Sequence, residues 1–282
     1  MSTRPPQQQQ PPGHTDEMSP APRDTMAHYR GSELLKGARA LITGGDSGIG
    51  RAVSVAFAKE GSDVAFCYLS ERDDADRTVE LVEQQGRKCV AFAGDLADES
   101  HCRKVVSMTK DQLGGIDILV NNIATQQPQK NFEDISSEQW MRTFAVNVHS
   151  YFFMTRETLP HLGPGSSIIN TASVNGLRGN ARLIDYSATK GAILALTYSL
   201  AQSLVDRDIR VNCVAPGPVW TPLIPSTFPA EDVASFGEQT PMGRAAEPDE
   251  VAPSYVFFAA GRLSNYYSGE VLAPLGGETT PG

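Results

Sequence analysis

No run of about 18 apolar residues occurs anywhere in this 282-residue chain, and its N-terminus lacks the apolar core of a signal peptide. A membrane span and a secretory leader are therefore not expected, and a cytoplasmic protein is. Basic residues are too few and too scattered to follow a phosphate backbone: 24 Lys and Arg face 33 Asp and Glu, for a net charge of −9. Nucleic acid is not an expected partner. Cysteine is sparse, with Cys67, Cys89, Cys102 and Cys213 lacking C-x-x-C spacing, so reduced thiols are the default. Cys67 and Cys89 fall on strands that could be neighbours, and packing accounts for both. His101, His149 and His161 show no paired ligand spacing, and His14 and His28 lie near the N-terminus, so no metal is expected. No repeat of solenoid period is present.

What the chain does contain is a short biased segment followed by a long alternating one. Residues 1–30, with Pro5-Pro6, Gln7 to Gln10 and Pro11-Pro12, hold too little apolar content to fold alone. They read as a flexible tail, either disordered or laid along a neighbouring subunit. Residues 31–282 read as one domain, a length that buries a single sizeable core. From Ala38 onward, Val- and Ile-rich runs alternate with amphipathic stretches, the pattern of β-α-β units. Strands are predicted over 38–43, 63–68, 88–93, 116–121, 166–171, 209–215 and 270–275. Helices are predicted over 49–60, 74–85, 100–113, 136–158, 186–205 and 248–260. The fold class is α/β: a Rossmann-type doubly wound parallel sheet of about seven strands with helices on both faces.

Gly44, Gly48 and Gly50 lie between the first strand and the first helix, where backbone must turn tightly and approach a pyrophosphate without Cβ interference. The helix N-terminus adds attraction for an anion. The spacing differs from G-x-G-x-x-G, but Gly94-Asp95-Leu96 and Asn121-Asn122-Ile123-Ala124 end the third and fourth strands, at carboxyl ends where a dinucleotide would lie. Where the second strand ends, at Phe66-Cys67-Tyr68-Leu69-Ser70, no acidic residue stands ready for a ribose 2′-hydroxyl. Ser70 and Arg72 could serve a 2′-phosphate, although Arg72, followed by Asp73-Asp74, reads equally as a solvated surface charge; NADP is preferred over NAD.

Tyr186 and Lys190 stand four positions apart and follow Ser173, which is thirteen before the tyrosine. On a helix, residues i and i+4 share a face, so phenol and ammonium can share a pocket. Bringing a phenol from about 10 to near 7 takes roughly 4 kcal/mol of preference for the phenolate. One cation about 4 Å away supplies that order of energy at an effective dielectric of about 20. Tyr186 could then act as acid and base, with Ser173 donating to a substrate oxygen.

Together, Thr43-Gly44-x-x-x-Gly48-x-Gly50, Asn121-Asn122, Asn147, Ser173, Tyr186-x-x-x-Lys190 and Pro216-Gly217 resemble the short-chain dehydrogenase/reductase family over residues 36–277. The long N-terminal segment and the run Ala215 to Thr221 look most like its glucose/ribitol dehydrogenase-like or aldehyde-reductase-like branch. The resemblance implies a catalytic tetrad: Tyr186 as acid/base, Lys190 lowering its pKa and holding the nicotinamide ribose, Ser173 orienting the carbonyl, and Asn147 holding a proton-relay water. It also implies that Gly44, Ser47, Gly48, Ile49, Gly50, Tyr68, Ser70, Asp95, Leu96, Asn122, Ala124, Pro216, Gly217, Val219 and Thr221 border the dinucleotide. A homotetramer is implied as well. One departure is visible: the family's Asn-Asn-Ala-Gly reads Asn121-Asn122-Ile123-Ala124, which puts larger side chains beside the cofactor.

Gln126, Gln127, Val174, Asn175 and Arg178 and the segment 223–244, punctuated by Pro225, Pro229 and Pro241, are expected to border a substrate pocket. Hydride transfer between a nicotinamide cofactor and a carbonyl or alcohol substrate, a small aldehyde, ketone or polyol, is the leading expectation. A 3-oxoacyl-[acyl-carrier-protein] reductase would use the same residues, and a cofactor-sensing regulatory or stress-related binding protein is the alternative outside catalysis.

Overall fold

The strands are apolar on both faces, as a parallel sheet held between two helix layers requires. In the computed structural model, which describes residues 4–279, seven strands form one sheet: β1 (Arg39–Thr43), β2 (Asp63–Tyr68), β3 (Cys89–Ala93), β4 (Ile118–Asn121), β5 (Ser167–Thr171), β6 (Arg210–Val214) and β7 (Val271–Leu272). Every pairing is parallel, in the order β3-β2-β1-β4-β5-β6-β7. The order reverses between β1 and β4, so the crevice beyond their carboxyl ends is the topological switch point where α/β sheets take ligands.

Alternation along β1 divides the core. Ala40 and Ile42 face α1 (Gly48–Lys59) and a later helix over Pro248–Ala259, while Leu41 faces α3 (Glu99–Leu113), which follows α2 (Arg72–Glu83) in the chain. α3 has explicit ends: the Asp98 side chain accepts from Ser100 N, and Gly114 closes the helix at φ 79°, in the left-handed region where only glycine is free of a Cβ penalty. The expected helix over 136–158 is three pieces, α4 (Ser137–Phe144), a π-helical turn (Ala145–His149) and α5 (Ser150–Thr158). Beyond it lie α6 (Val174–Arg178), α7 (Ile184–Leu204), α8 (Leu223–Thr227), α9 (Ala230–Ala234), α10 (Pro248–Ala259) and α11 (Gly261–Ser264). The short α6, α8 and α9 were not expected, because five residues carry too little periodicity to be read.

Residues 4–30, expected as a flexible tail, run along the surface of their own domain. Met18 and Met26 are buried among apolar side chains. Asp24 meets Arg51 at 3.1 Å, and Arg51, itself 3% exposed, also bonds Asp74 at 2.5 Å and the Asp46 carbonyl at 2.9 Å. Burial pushes Asp24 up to about 6, although Arg51 opposes the shift. A few anchors spaced through a polar stretch dock this segment onto the surface of the domain.

Candidate active site

A cleft of about 510 Å³ opens over the switch point. Its floor is the loop Gly44 to Ile49 after β1. Gly44 takes φ 67° and Gly48 φ 51°, and a Cβ on Gly50 would overlap the Gly44 carbonyl oxygen. A Cβ on Gly48 would stand 2.9 Å from Thr221 Cγ2. The glycines are thus needed for turning and for close approach, and what they leave is a bare cradle at the N-terminus of α1, the place where backbone N–H groups attract a phosphate. Asn122 ties this loop to the end of β4: its side-chain amide donates to the carbonyls of Thr43 and Gly44, and the Thr43 hydroxyl accepts from the backbone N–H of Asn122 and Ile123. Neither Ile123 nor Ala124 has positive φ, so the larger residues there strain no backbone.

Of the residues expected along the dinucleotide, Gly44, Ser47, Gly48, Ile49, Tyr68, Asp95, Asn122, Ala124, Pro216, Gly217, Val219 and Thr221 line the cleft. Gly50 lies behind the loop, packed on Gly44. Leu96 does not line it: its side chain is buried in the core against Cys102. Ser70 is exposed and outside the lining, and Arg72 is exposed with Asp76 as its ion-pair partner at 3.7 Å. In their place stands Glu71, 8% exposed and in the cleft wall, with its carboxylate accepting from Ser70 N at 2.6 Å. The expectation that no acid borders this end of the cleft is therefore corrected: the turn after β2 folds inward, so the residue one beyond the region read from the sequence faces the site. Asp46 lies beside it. Burial first, then the charges of Glu71 and Asp74, push Asp46 up to about 7. Asp95, on the same rim, is raised by burial but held below the usual carboxylate range by Arg142, which meets it at 2.7 Å.

At the other end, Ser173 caps α6, its hydroxyl accepting from Asn175 N, and it also reaches the phenol of Tyr186. Tyr186 sits in the first turn of α7. That turn is fixed by Asp185, fully buried, whose carboxylate accepts from Gln139 Nε2 at 3.0 Å, Thr143 Oγ1 at 2.8 Å and Tyr186 N at 2.8 Å. Sequence reasoning missed Asp185, although an acid at a helix N-terminus beside an expected reactive residue is a readable signal. Lys190 Nζ donates to Thr171 O at 2.8 Å and lies 5.4 Å from the Tyr186 ring and 5.7 Å from that of Tyr151. Asn147 is fully buried and outside the cleft lining; its amide donates to Thr125 O at 2.8 Å and Thr189 Oγ1 at 3.1 Å, and its oxygen accepts from Thr125 N at 2.8 Å. The π turn delivers this residue to that position.

The titration pattern departs from the one expected. Burial raises Tyr186 to about 12, with the Ser173 hydrogen bond pulling the other way, and burial lowers Lys190 to about 7. The expected lowering counted the cation and left out desolvation, which here disfavours both charges at once. A charged Lys190 beside the ring favours the phenolate and so opposes that rise. Among the described residues, no group of three or more His, Cys, Asp or Glu side chains could hold a metal, and no helix is long and apolar enough to cross a membrane.

Residues 44–279 match a family model described as Enoyl-(Acyl carrier protein) reductase. The chain is 48% identical over 285 residues to the glucose and ribitol dehydrogenase of Daucus carota, covering 99% of this chain and 98% of that one. It is 47% identical to NADPH-dependent aldehyde reductase 1, chloroplastic, of Arabidopsis thaliana, over 94% of each chain. The crystal structure of a short chain dehydrogenase from Burkholderia cenocepacia J2315 in complex with NADP superposes with a TM-score of 0.80 at 31% identity, across 86% of this chain and 98% of its own.

Proposed function

The chain belongs to the short-chain dehydrogenase/reductase family, and from that premise we propose that it interconverts a carbonyl and an alcohol on a small polar aldehyde, ketone or polyol, with NADP as the preferred dinucleotide and NAD as the other; the preference rests on the NADP complex of the Burkholderia cenocepacia enzyme and the NADPH-dependent Arabidopsis thaliana reductase, not on Ser70 or Arg72. The observation that carries this reading is the convergence of Ser173, Tyr186 and Lys190 in one buried corner that opens onto the same cleft as the glycine cradle. The cradle fits the dinucleotide, since Gly44 and Gly48 turn at positive φ and Gly50 packs on the Gly44 carbonyl, bringing the loop backbone close over the N-terminus of α1. Gly44 to Ile49 would hold the phosphates, Asn122 and Asp95 would border the adenosine half, and Pro216 to Thr221 would run along the nicotinamide. The cofactor supplies or accepts the hydride when bound.

The protein's part is positioning and proton transfer. In the reductive direction the Tyr186 hydroxyl, neutral at physiological pH, donates its proton to the developing alkoxide, and Ser173 donates a hydrogen bond to the same oxygen. Lys190, whose pKa burial lowers to about 7, in its protonated form stabilises the phenolate that results. Asn147, bonded on both sides to the Thr125 backbone, fixes the end of the chain from which solvent protons return. Gln126, bonded to Thr227 across the cleft, with Asn175 and Arg178, gives the substrate end polar partners. Exposed Phe152 and Tyr198 on α5 and α7 and Tyr267 beside β7 support the homotetramer the resemblance implies. The four free, buried thiols suit a cytoplasmic enzyme.

The test follows oxidation of NADPH and of NADH with aldehydes, ketones and sugar-derived carbonyls. Tyr186→Phe is expected to lose on the order of 10²- to 10⁴-fold in turnover while binding dinucleotide as the parent does. Unchanged turnover would remove Tyr186 from its assigned role. Acylated carrier protein carrying a 3-oxoacyl chain, which the same residues would serve, belongs in the panel, beside an enoyl chain because the matched family model is described as an enoyl-(acyl carrier protein) reductase. A large preference for the 3-oxoacyl form would move the reading to 3-oxoacyl reduction.

A further inference from the structure

Residues 4–15 lie outside the family match, which begins at Gly44, yet they cross the cleft. On one side, Arg4 stacks 4.4 Å over the Trp220 ring and donates to Phe236 O at 3.1 Å, and Gln9 N donates to Pro225 O at 2.8 Å. These partners belong to the segment around α8 and α9 that covers the substrate end. On the other side, Thr15 N donates to Asp74 Oδ2 at 2.9 Å, and Asp74 is held by Arg51 beneath the glycine loop. Between the anchors, the Gln9 side chain bonds both the N–H and the carbonyl of His14, closing a small loop. Its apex, Pro11, Pro12 and Gly13, forms part of the cleft wall. Gly13 packs so closely on the Pro222 carbonyl that a Cβ there would overlap it. Pro222 in turn follows Thr221, whose methyl meets the glycine loop.

We propose that this N-terminal arm is an outer wall of the dinucleotide cleft, latched to both rims, and that it must lift for the dinucleotide to come and go. This rests on the dinucleotide reading above. The wall adds no charge of its own at the apex, so its effect is on passage rather than on recognition: both association and dissociation are slowed, and the equilibrium constant changes less than either rate.

The experiment is stopped-flow binding of NADPH, followed by its fluorescence, with displacement by excess NADP to measure dissociation. The full chain is compared with a chain starting at His14 and with Gln9→Ala, which opens the loop without shortening the chain. Dissociation and association are both expected to rise about tenfold in the truncated protein, the scale of losing two or three modest anchors, and a few-fold in Gln9→Ala. If the shortened chain does not fold, as judged by circular dichroism, Gln9→Ala decides alone. Rates equal to those of the full chain within twofold overturn the wall. Failure of the full chain to bind either NADPH or NADH, which the same titration reads directly, overturns the dinucleotide reading and the wall with it.

Discussion

Asp46 should be a carboxyl that weakens the fold as it ionises. Its folded-state pKa is about 7 against an ordinary 3.8, with burial as the main cause and the Glu71 and Asp74 charges adding to it. A raised carboxyl pKa means that the folded state binds more protons than the unfolded state between those two values, so stability falls as pH rises through about 4 to 7. The penalty is absent near pH 3 and complete above about pH 7. With these values it amounts to about 2 kcal/mol near pH 5 and about 4 kcal/mol near pH 8. Asp46→Asn keeps an oxygen acceptor and removes the titration. Urea unfolding of both proteins at matched concentration, near pH 5 and near pH 8, should show the variant's advantage growing by about 2 to 3 kcal/mol. The difference between proteins is the informative quantity, since every other titrating group is common to both. Parallel stability profiles would refute the reasoning, by showing that Asp46 ionises in water-like surroundings. The same carboxylate borders the cradle, so NADPH affinity of the parent should also fall between about pH 6 and 8 more steeply than that of the variant.

Lys190→Met should be inactive in carbonyl reduction and more stable than its parent at low pH. The folded lysine has its pKa lowered to about 7, so charging it costs most below that value, and thermal denaturation should show the gap closing as pH climbs from about 7 to 10.5. Gly50→Ala puts a Cβ into the Gly44 carbonyl; NADPH binding measured by fluorescence should be lost well beyond the change in melting temperature. Arg51→Met leaves Asp24 and Asp74 buried without their partner, and denaturant unfolding should register a loss of about 3–5 kcal/mol, with the N-terminal arm becoming sensitive to protease.

The sheet was legible because each strand is a short apolar run bounded by turn residues, and β2 falls on the predicted 63–68. The cradle and the Tyr186–Lys190 pair were legible because local spacing alone sets them side by side. Glu71 was not, since whether the chain after β2 turns toward the cleft depends on packing that no local pattern encodes. The arm was not either: Arg4 on Trp220 and Thr15 on Asp74 are long-range pairs, and a proline-rich, glutamine-rich composition says only that such a segment needs something to lean on. The titration of the tyrosine was misjudged for a related reason, because charge can be counted in a sequence and desolvation cannot.

The π turn over Ala145–His149 holds one residue more than regular winding would need for the same length of helix. Without it, everything downstream would rotate by about 100° about the helix axis. Two side chains depend on opposite sides of that offset: Asn147 within it, clasping the Thr125 backbone and Thr189, and Thr155 beyond it, accepting from Asn121 at the end of β4. A continuous α-helix could satisfy one but not both. Removing a single residue between 145 and 149 would therefore tidy the winding, strengthen the isolated helix and unfasten the site from the sheet, which makes this stretch tolerant of substitution at its exposed positions and intolerant of any change in length.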